Sequence, residues 1–356
     1  MERFDKGQTA NQSRRTAKRF IMHIWVLTDG KAGDLQSCLG VAERLGTIWT
    51  ADAGTATIEQ RVVDPKPPWL WLMPHGPISP LEKRGSQDDP LRPPYPDVAI
   101  ASGRRAVPYL RSLKHRAPGC LTVFLKDPRT SRHGADLVWV PGHDRLRGDN
   151  VLVSAMAPHR ISPQLLADQR ADPPAHIAKL PKPRLAVVLG GPARKTVYSQ
   201  NDLAVFAAAL TQLADQAASL MVTGSRRTPA HWMEMIDKIM IGRRGLVWTP
   251  AEATPNPYLD FLSHADALVV TADSHNMVSE ALATGVPVHI FAPEKLSTKL
   301  ARFVKSVFAD NLAAPMGKTA RHTLELTPQK PIDSSAIIAE EIRQRLISRQ
   351  AAPNAH

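Results

Sequence analysis

The chain's 356 residues, 43% hydrophobic and 22% charged, have a soluble globular composition long enough for two domains with separate cores. No stretch approaches the roughly 20 consecutive apolar residues of a membrane-spanning helix, and Cys38 and Cys120, isolated and without CxxC spacing, argue against a disulfide framework or a zinc site and suit a reducing cytoplasm. A formal charge of +12 and a pI near 9.9 point to an anionic partner; with aromatics at 5% and no zinc-finger, RNP-type or helix-turn-helix motif, nucleic acid is not expected, which leaves a phosphorylated small molecule or an acidic membrane surface.

Residues 1–20 read as a basic disordered arm without the apolar core of a signal peptide. The strand His23-Ile24-Trp25-Val26-Leu27-Thr28-Asp29 follows, then Gly30-Lys31-Ala32-Gly33-Asp34-Leu35-Gln36, then a helix through about Leu45, the opening of a doubly wound domain. The glycines permit close backbone approach to an anion that Lys31 would meet; an ordinary strand-to-helix turn reads the same residues equally well. Further strands are expected near 58–63, 98–102, 121–126, 137–141 and 151–154, with a helix over 104–116. Residues 64–96 carry ten prolines and the pair Trp69 and Trp71, an irregular or polyproline-like loop of a length that is commonly functional or disordered. The tryptophans either touch an interface or pack beneath the prolines. In Ser102-Gly103-Arg104-Arg105 two arginines at a helix start oppose the dipole unless an acid binds there or a neighbouring loop supplies carboxylates.

Residues 158–183, rich in proline and alanine, read as the inter-domain connection. The expected division is therefore an N-terminal domain over 21–160, a linker over 161–183, a C-terminal domain over 184–332 and a last helix over 333–350 that can cross back to the first domain. The second unit begins with the strand Leu185-Ala186-Val187-Val188-Leu189, which ends at Gly190-Gly191-Pro192-Ala193-Arg194-Lys195, a run resembling an anion nest. A helix over 201–216 and a strand over 219–223 lead to Gly224-Ser225-Arg226-Arg227-Thr228, with hydroxyls and forked guanidiniums suited to phosphate. Helices over 229–240 and 258–264 flank a strand over 246–249, and amphipathic helices are expected over 297–308 and 334–348. The most informative segment is 266–292, in which buried strands around Val269 and Val288 enclose Thr271-Ala272-Asp273-Ser274-His275-Asn276 and a helix. A helix start leaves N–H groups that Asp273, Ser274 or an incoming phosphate can satisfy. Glu280 follows one turn on.

The strings WVLTDGKAGDLQ, ASGRR, FLKDPR, DLVWVPGHD, VLGGP, VTGSRRTP and VTADSHNMVSEALATGVPV, in order from Trp25 to Ala292, resemble the bacterial branch of the family named after the plant elongated-mitochondria fission protein. Its members are similar in their C-terminal half to type-B glycosyltransferases. The resemblance implies an α/β fold of two Rossmann-like domains facing a central cleft (GT-B-like). It further implies that Gly190, Gly191 and Arg194 cradle phosphate, that Ser225, Arg226 and Arg227 border the nucleotide, and that Asp273, Ser274, Asn276, Met277 and Glu280 hold the nucleotide sugar, Glu280 at the ribose. Gly30, Lys31, Gly33, Gln36, Ser102, Gly103 and Arg104 then form the acceptor side.

No motif singles out a catalytic base among Asp34, Asp127, His143 and Asp144. The first expectation is a metal-independent, inverting glycosyltransferase with no cofactor, using a nucleotide-diphosphate sugar and a cell-envelope lipid or polysaccharide acceptor, cytoplasmic and peripheral at the inner face of the membrane. The alternative is a non-catalytic nucleotide-sugar-binding or recruitment protein, as the plant relatives recruit a dynamin-like division protein.

Overall fold

The computed structural model describes residues 20–351 apart from 53, 83, 194 and 319–321. The basic arm up to residue 19 and Arg194 lie outside the described residues. In the first half the elements are β1 (Phe20–Thr28), α1 (Ala32–Asp52), β2 (Gly54–Val62), α2 (Trp69–Leu72), β3 (Val98–Ser102), α3 (Val107–Arg116), β4 (Leu121–Leu125), β5 (Leu137–Pro141) and β6 (Val151–Ser154). Then come α4 (Pro163–Ala171), α5 (Ala175–Ala178), β7 (Arg184–Leu189), α6 (Gln200–Ala214), β8 (Ser219–Gly224), α7 (Ala230–Met240), β9 (Gly245–Trp248) and α8 (Tyr258–His264). The chain continues through β10 (Ala267–Thr271), α9 (His275–Leu282), β11 (Val288–Phe291), α10 (Thr298–Ala309), β12 (Ala314–Met316) and α11 (Ser334–Ala351).

Two parallel six-stranded sheets result, ordered β2-β1-β3-β4-β5-β6 and β12-β11-β10-β7-β8-β9. The second, read from β9, is the 3-2-1-4-5-6 order of a dinucleotide-binding sheet. Every residue of β3, β4, β5, β8 and β10 is buried. Helices cover both faces of such strands, which is why their sequences are continuous apolar runs instead of alternating ones. The chain is thus α/β, two Rossmann-like domains facing a cleft.

Several segments differ from the sequence reading, among them β2, which begins at Gly54. Helix α1 runs to Asp52, seven residues past Leu45, because Trp49 still lies in the core beneath the first sheet. The stretch read as a connection carries α4, capped by Ser162 with Pro163 at the first helical position, and α5. Ile161, Leu166 and Ile177 from this stretch are buried with Ala186, Val188 and Leu268 of the second sheet. Strand β12 is three residues long with Pro315 at its middle, an edge position that tolerates a missing N–H donor.

Helix α11 returns to the first domain, burying Ile338, Ala339 and Ile342 against Val41, Ala42 and Leu45 of α1. The two passages of chain between the lobes are stapled to α1. Ser335 Oγ donates to the His159 carbonyl at 2.7 Å and accepts from the His159 N–H at 2.8 Å. Arg44 binds Asp333 at 2.7 Å and the Ile161 carbonyl at 2.9 Å. Gly40 permits this approach, since a Cβ there would lie 2.2 Å from the His159 carbonyl oxygen. In the 64–96 insertion, Asp89 accepts from the Gly85 and Leu91 N–H groups and from Arg116, each at 2.8 Å. Trp69 is half-buried, but Trp71 is 72% exposed and does not pack beneath the prolines.

Candidate functional site

In a parallel sheet, the crevice between adjacent strands whose chains leave in opposite directions opens at their carboxyl ends. That point lies between β7 and β10 in the second sheet and between β1 and β3 in the first. The loops there are Gly190-Gly191 with Ala272–Ser274, and Asp29-Gly30 with Ser102-Gly103. They face one another, for a Cβ on Gly33 would stand 3.5 Å from Asn276 Nδ2 at the start of α9. A cleft of about 420 Å³ lies between the lobes, lined from the first by Asp34, Gly103, Arg104, Lys126, Asp127 and His143, and from the second by His275 and Lys299.

On the C-terminal side the three loops expected to bind phosphate converge, and they do so by bonding to each other. The Asp273 side chain is fully buried; its Oδ2 accepts from Arg227 Nη2 at 2.8 Å, and its Oδ1 accepts from the hydroxyls of Thr271 at 2.7 Å and Tyr198 at 3.1 Å. Arg227 Nη1 also donates to the Gly191 carbonyl at 3.0 Å, and Ser225 Oγ donates to that of Gly190 at 3.0 Å. The Gly190 N–H is taken by Thr271 Oγ1 at 2.8 Å. Arg227 and Asp273 therefore brace the site, where the sequence reading offered Arg226 or Arg227 for the diphosphate and Asp273, Ser274 or a phosphate for the helix start. Ser274 caps α9 instead, its side chain accepting from the Met277 N–H. The N–H groups of His275 and Asn276 keep the partial positive charge of the helix end toward the cleft. Arg226 is exposed and has no ion pair among the described residues.

Glu280 is half-buried one turn into α9, and Tyr258 donates its hydroxyl to Oε2 at 2.5 Å. Burial raises the Glu280 carboxyl to about 7, against the lowering effect of that hydrogen bond. Asn256 Oδ1 accepts from the Tyr258 N–H at 3.0 Å and from Thr223 Oγ1 at 3.1 Å. It lines, with Trp248 and Glu252, a cavity of about 440 Å³ at the end of β9.

On the N-terminal side, Asp34 Oδ1 accepts from Ser102 Oγ at 3.0 Å and from Lys126 Nζ at 2.5 Å. Its Oδ2 lies 3.3 Å from the position of a Cβ on Gly103, whose φ of +89° belongs to glycine. Asp29, fully buried, pairs with Lys31 at 2.5 Å and with Arg105 at 3.6 Å. The neighbouring-loop carboxylate thus accounts for Arg105. Helix α3 begins only at Val107, and Arg104 stays in the cleft lining. Asp127 is exposed and accepts from the Arg129 N–H at 2.7 Å, a turn bond. Asp144 is buried and pairs across the lobes with Lys299 at 2.6 Å. Gln36 is exposed on α1 and outside the cleft lining.

His143 forms an edge contact with His275 of the other lobe, ring centroids 5.0 Å apart, and both rings meet Phe303. His143 Nδ1 and His275 Nε2 are buried without hydrogen-bond partners. Burial lowers both imidazoles, His275 to about 3 with help from the neighbouring His143. His143 thus sits at the lobe contact and on the cleft lining, with Asp34, Asp127 and Asp144.

A pH dependence follows. Burial also lowers His159 and His289 to about 4. A depressed histidine binds its proton more readily in the unfolded chain, so stability is intact above about pH 6.5 and declines as pH falls toward the folded values. Glu280 acts oppositely, stabilising when protonated and losing that contribution as pH rises through about 7. Four histidines against one glutamate give a net loss on the order of a few kcal/mol between pH 6.5 and 4.5. Thermal melts across this range are expected to drop, and His159→Asn to flatten the drop. Melting temperatures level between pH 7 and 5 would contradict this.

Sequence reasoning did not single out Lys126, His275, Lys299, Tyr198, Tyr258 or Trp248. The Lys126 position follows a strand as the other loops do, so that signal was available. Tyr198 and Tyr258 lie in segments whose approach to the site is made only by the packed fold.

Over 279 residues the chain is 27% identical to the Mitochondrial fission protein ELM1 of Arabidopsis thaliana, a match covering 71% of this chain and 65% of the plant protein. It is 26% identical over 356 residues to an uncharacterized protein of Rickettsia prowazekii (strain Madrid E), covering 90% and 98%. The fold is similar to that of UDP-GlcNAc 2-epimerase from Methanocaldococcus jannaschii, with a TM-score of 0.53 at 10% identity over 92% of this chain and 100% of that one. Residues 32–346 match the family described as Mitochondrial fission ELM1, and the chain belongs to that family.

Proposed function

We propose that the chain binds a nucleotide-diphosphate sugar against its C-terminal lobe and transfers the sugar, with inversion, to a hydroxyl of a cell-envelope lipid or polysaccharide acceptor held on the N-terminal side. One observation carries the reading: the inter-lobe cleft is lined by Asp34 and Gly103 at the switch point of the first sheet and by His275, the first residue of α9, which follows the switch-point loop of the second. The diphosphate lies along Gly191, Ser274 and the first N–H groups of α9, with Arg226 as counter-charge. The ribose hydroxyls reach Glu280, and the base enters the cavity beside Trp248 and Asn256. Asp34, with Oδ1 held by two donors and Oδ2 turned toward Gly103, takes the acceptor proton. The acceptor oxygen bonds to the anomeric carbon, and the carbon–oxygen bond to the diphosphate breaks with its electron pair on the departing phosphate. Side-chain cations and helix N–H groups meet the charge.

A thermal-shift panel of uridine, guanosine, cytidine and thymidine diphosphates and their sugars tests this. UDP and UDP-N-acetylglucosamine head it because the similar epimerase is named for that sugar nucleotide. A ligand at a hundredfold excess over its dissociation constant adds about 2.7 kcal/mol to the folded state. Glu280→Ala is expected to weaken binding about 10- to 100-fold by removing a hydrogen-bonded carboxylate. A panel in which no nucleotide shifts the melt sinks the proposal.

The Arg227–Asp273 brace also favours a second reading, a non-catalytic recruitment protein, because part of the anion-binding machinery is satisfied internally. Glu280→Ala and Arg226→Ala separate the two. An enzyme loses turnover with nucleotide affinity, whereas a recruitment protein keeps its partner.

A further inference from the structure

A third cavity, of about 550 Å³, lies outside the cleft, between the 64–96 insertion and α3. Arg84, Arg111 and Arg116 line it, with the carboxylates of Glu82 and Asp89. Arg116 is neutralised by Asp89 at 2.8 Å. Burial acts to raise the Asp89 carboxyl, but the Gly85 and Leu91 N–H groups and Arg116 overcome it, so Asp89 stays ionised below the usual carboxylate range. Glu82 accepts from the Tyr109 hydroxyl at 2.7 Å. Arg111 donates to the carbonyls of Gly76 at 2.7 Å and Arg132 at 3.0 Å, bonds that hold its guanidinium without cancelling the charge. Arg84 is exposed and has no ion pair among the described residues. Three guanidiniums against the carboxylates of Asp89 and Glu82 leave the groove with a net positive charge, and Arg84 and Arg111 without an ion pair among the described residues.

Exposed apolar residues of the same insertion lie near it. Leu81, between the lining residues Pro80 and Glu82, is 87% exposed. Leu72 is exposed and packs on Gly76, the residue whose carbonyl Arg111 holds, and Trp71, beside it in the chain, is 72% exposed. Single exposed apolar residues are ordinary. Three of them in the insertion that walls a cationic groove match the layering of a membrane surface, with anionic headgroups above an apolar boundary.

We propose that this face seats the protein on an anionic lipid bilayer. A headgroup phosphate enters the groove against Arg84 and Arg111, and Trp71, Leu72 and Leu81 enter the interfacial layer. A soluble phosphate has no use for these apolar side chains, and a purely apolar partner has none for the guanidiniums. The inference stands apart from the nucleotide reading, since the groove shares no lining residue with the cleft.

The test is co-sedimentation of the full chain with vesicles of phosphatidylcholine alone or with about 30% phosphatidylglycerol, in the absence of nucleotide. Binding is expected to the anionic vesicles only. Arg84→Gln should weaken it about fivefold, and Trp71→Ser with Leu81→Ser about tenfold or more. All three side chains are exposed, so thermal melting should be unchanged. Equal binding to both vesicle types, no binding, or binding that survives these variants, as a basic N-terminal arm alone would produce, overturns the proposal. An Arg84-dependent melting shift with glycerol phosphate but no vesicle binding would make the groove a soluble-anion site and overturn the bilayer.

Discussion

Gly191→Ala is expected to destabilise the protein by about 3 kcal/mol or more, because the added methyl would meet main chain that is itself fixed. A Cβ at 191 would lie 2.1 Å from the Arg227 carbonyl oxygen and 3.0 Å from the Thr228 nitrogen. Relief requires the β8–α7 loop to move. That loop carries Arg227, which braces Asp273, and Thr228, which bonds the Gly190 carbonyl at 2.5 Å. Gly190→Ala should cost less, since its methyl meets the Asp273 carboxylate at 2.0 Å and a side chain can swing. It would still release Arg227, Thr271 and Tyr198 together. Gly30→Ala serves as the reference: nothing lies within 4 Å of a Cβ there, and only the φ of +77° penalises alanine, by about 1–2 kcal/mol. Urea unfolding of the three variants measures the order. A Gly191→Ala protein as stable as the parent would show that the loops are not packed as described.

Asp34→Asn is expected to lower turnover by about 10²- to 10⁴-fold, the usual contribution of a general base. Nucleotide binding should remain, because Asp34 belongs to the opposite lobe from Gly190, Ser274 and Glu280. The asparagine carbonyl can still accept from Ser102, so the loop keeps its form, while Lys126 loses its partner. Initial rates with a sugar nucleotide, read beside its thermal shift, separate the effects. Full activity would pass the role to Asp127 or Asp144. Lost nucleotide binding with unchanged melting would place Asp34 on the donor side.

Much of the fold was legible along the chain. β3 and β5 fall where their buried runs put them, β6 and α8 also keep their expected bounds, and β4 ends one residue earlier than expected. β3, β4 and β5 are buried along their whole length, so their signal is contained in a few consecutive residues. Helix α5 and strand β12 were not legible, being only four and three residues long and held by partners distant in sequence. Arg105 shows the same limit within the site. Its two readings, an open anion site or a carboxylate partner, differ only by where Asp29 lies after β1 and β3 pair.

The sequence by itself determined two α/β units and a set of polar, glycine-bearing loops after their strands, because burial pattern and glycine chemistry act over a few neighbouring residues. Strand order, a tertiary property, decided which loops meet. It put β7 beside β10 and β1 beside β3, turning dispersed loops into two facing crevices. Tertiary packing also decided that Arg227 and Asp273 hold each other, that His143 rests on His275, and that Trp71 and Leu81 stand in the open. Side-chain partners and exposure depend on residues tens to hundreds of positions apart, whose proximity exists only once the sheets have formed.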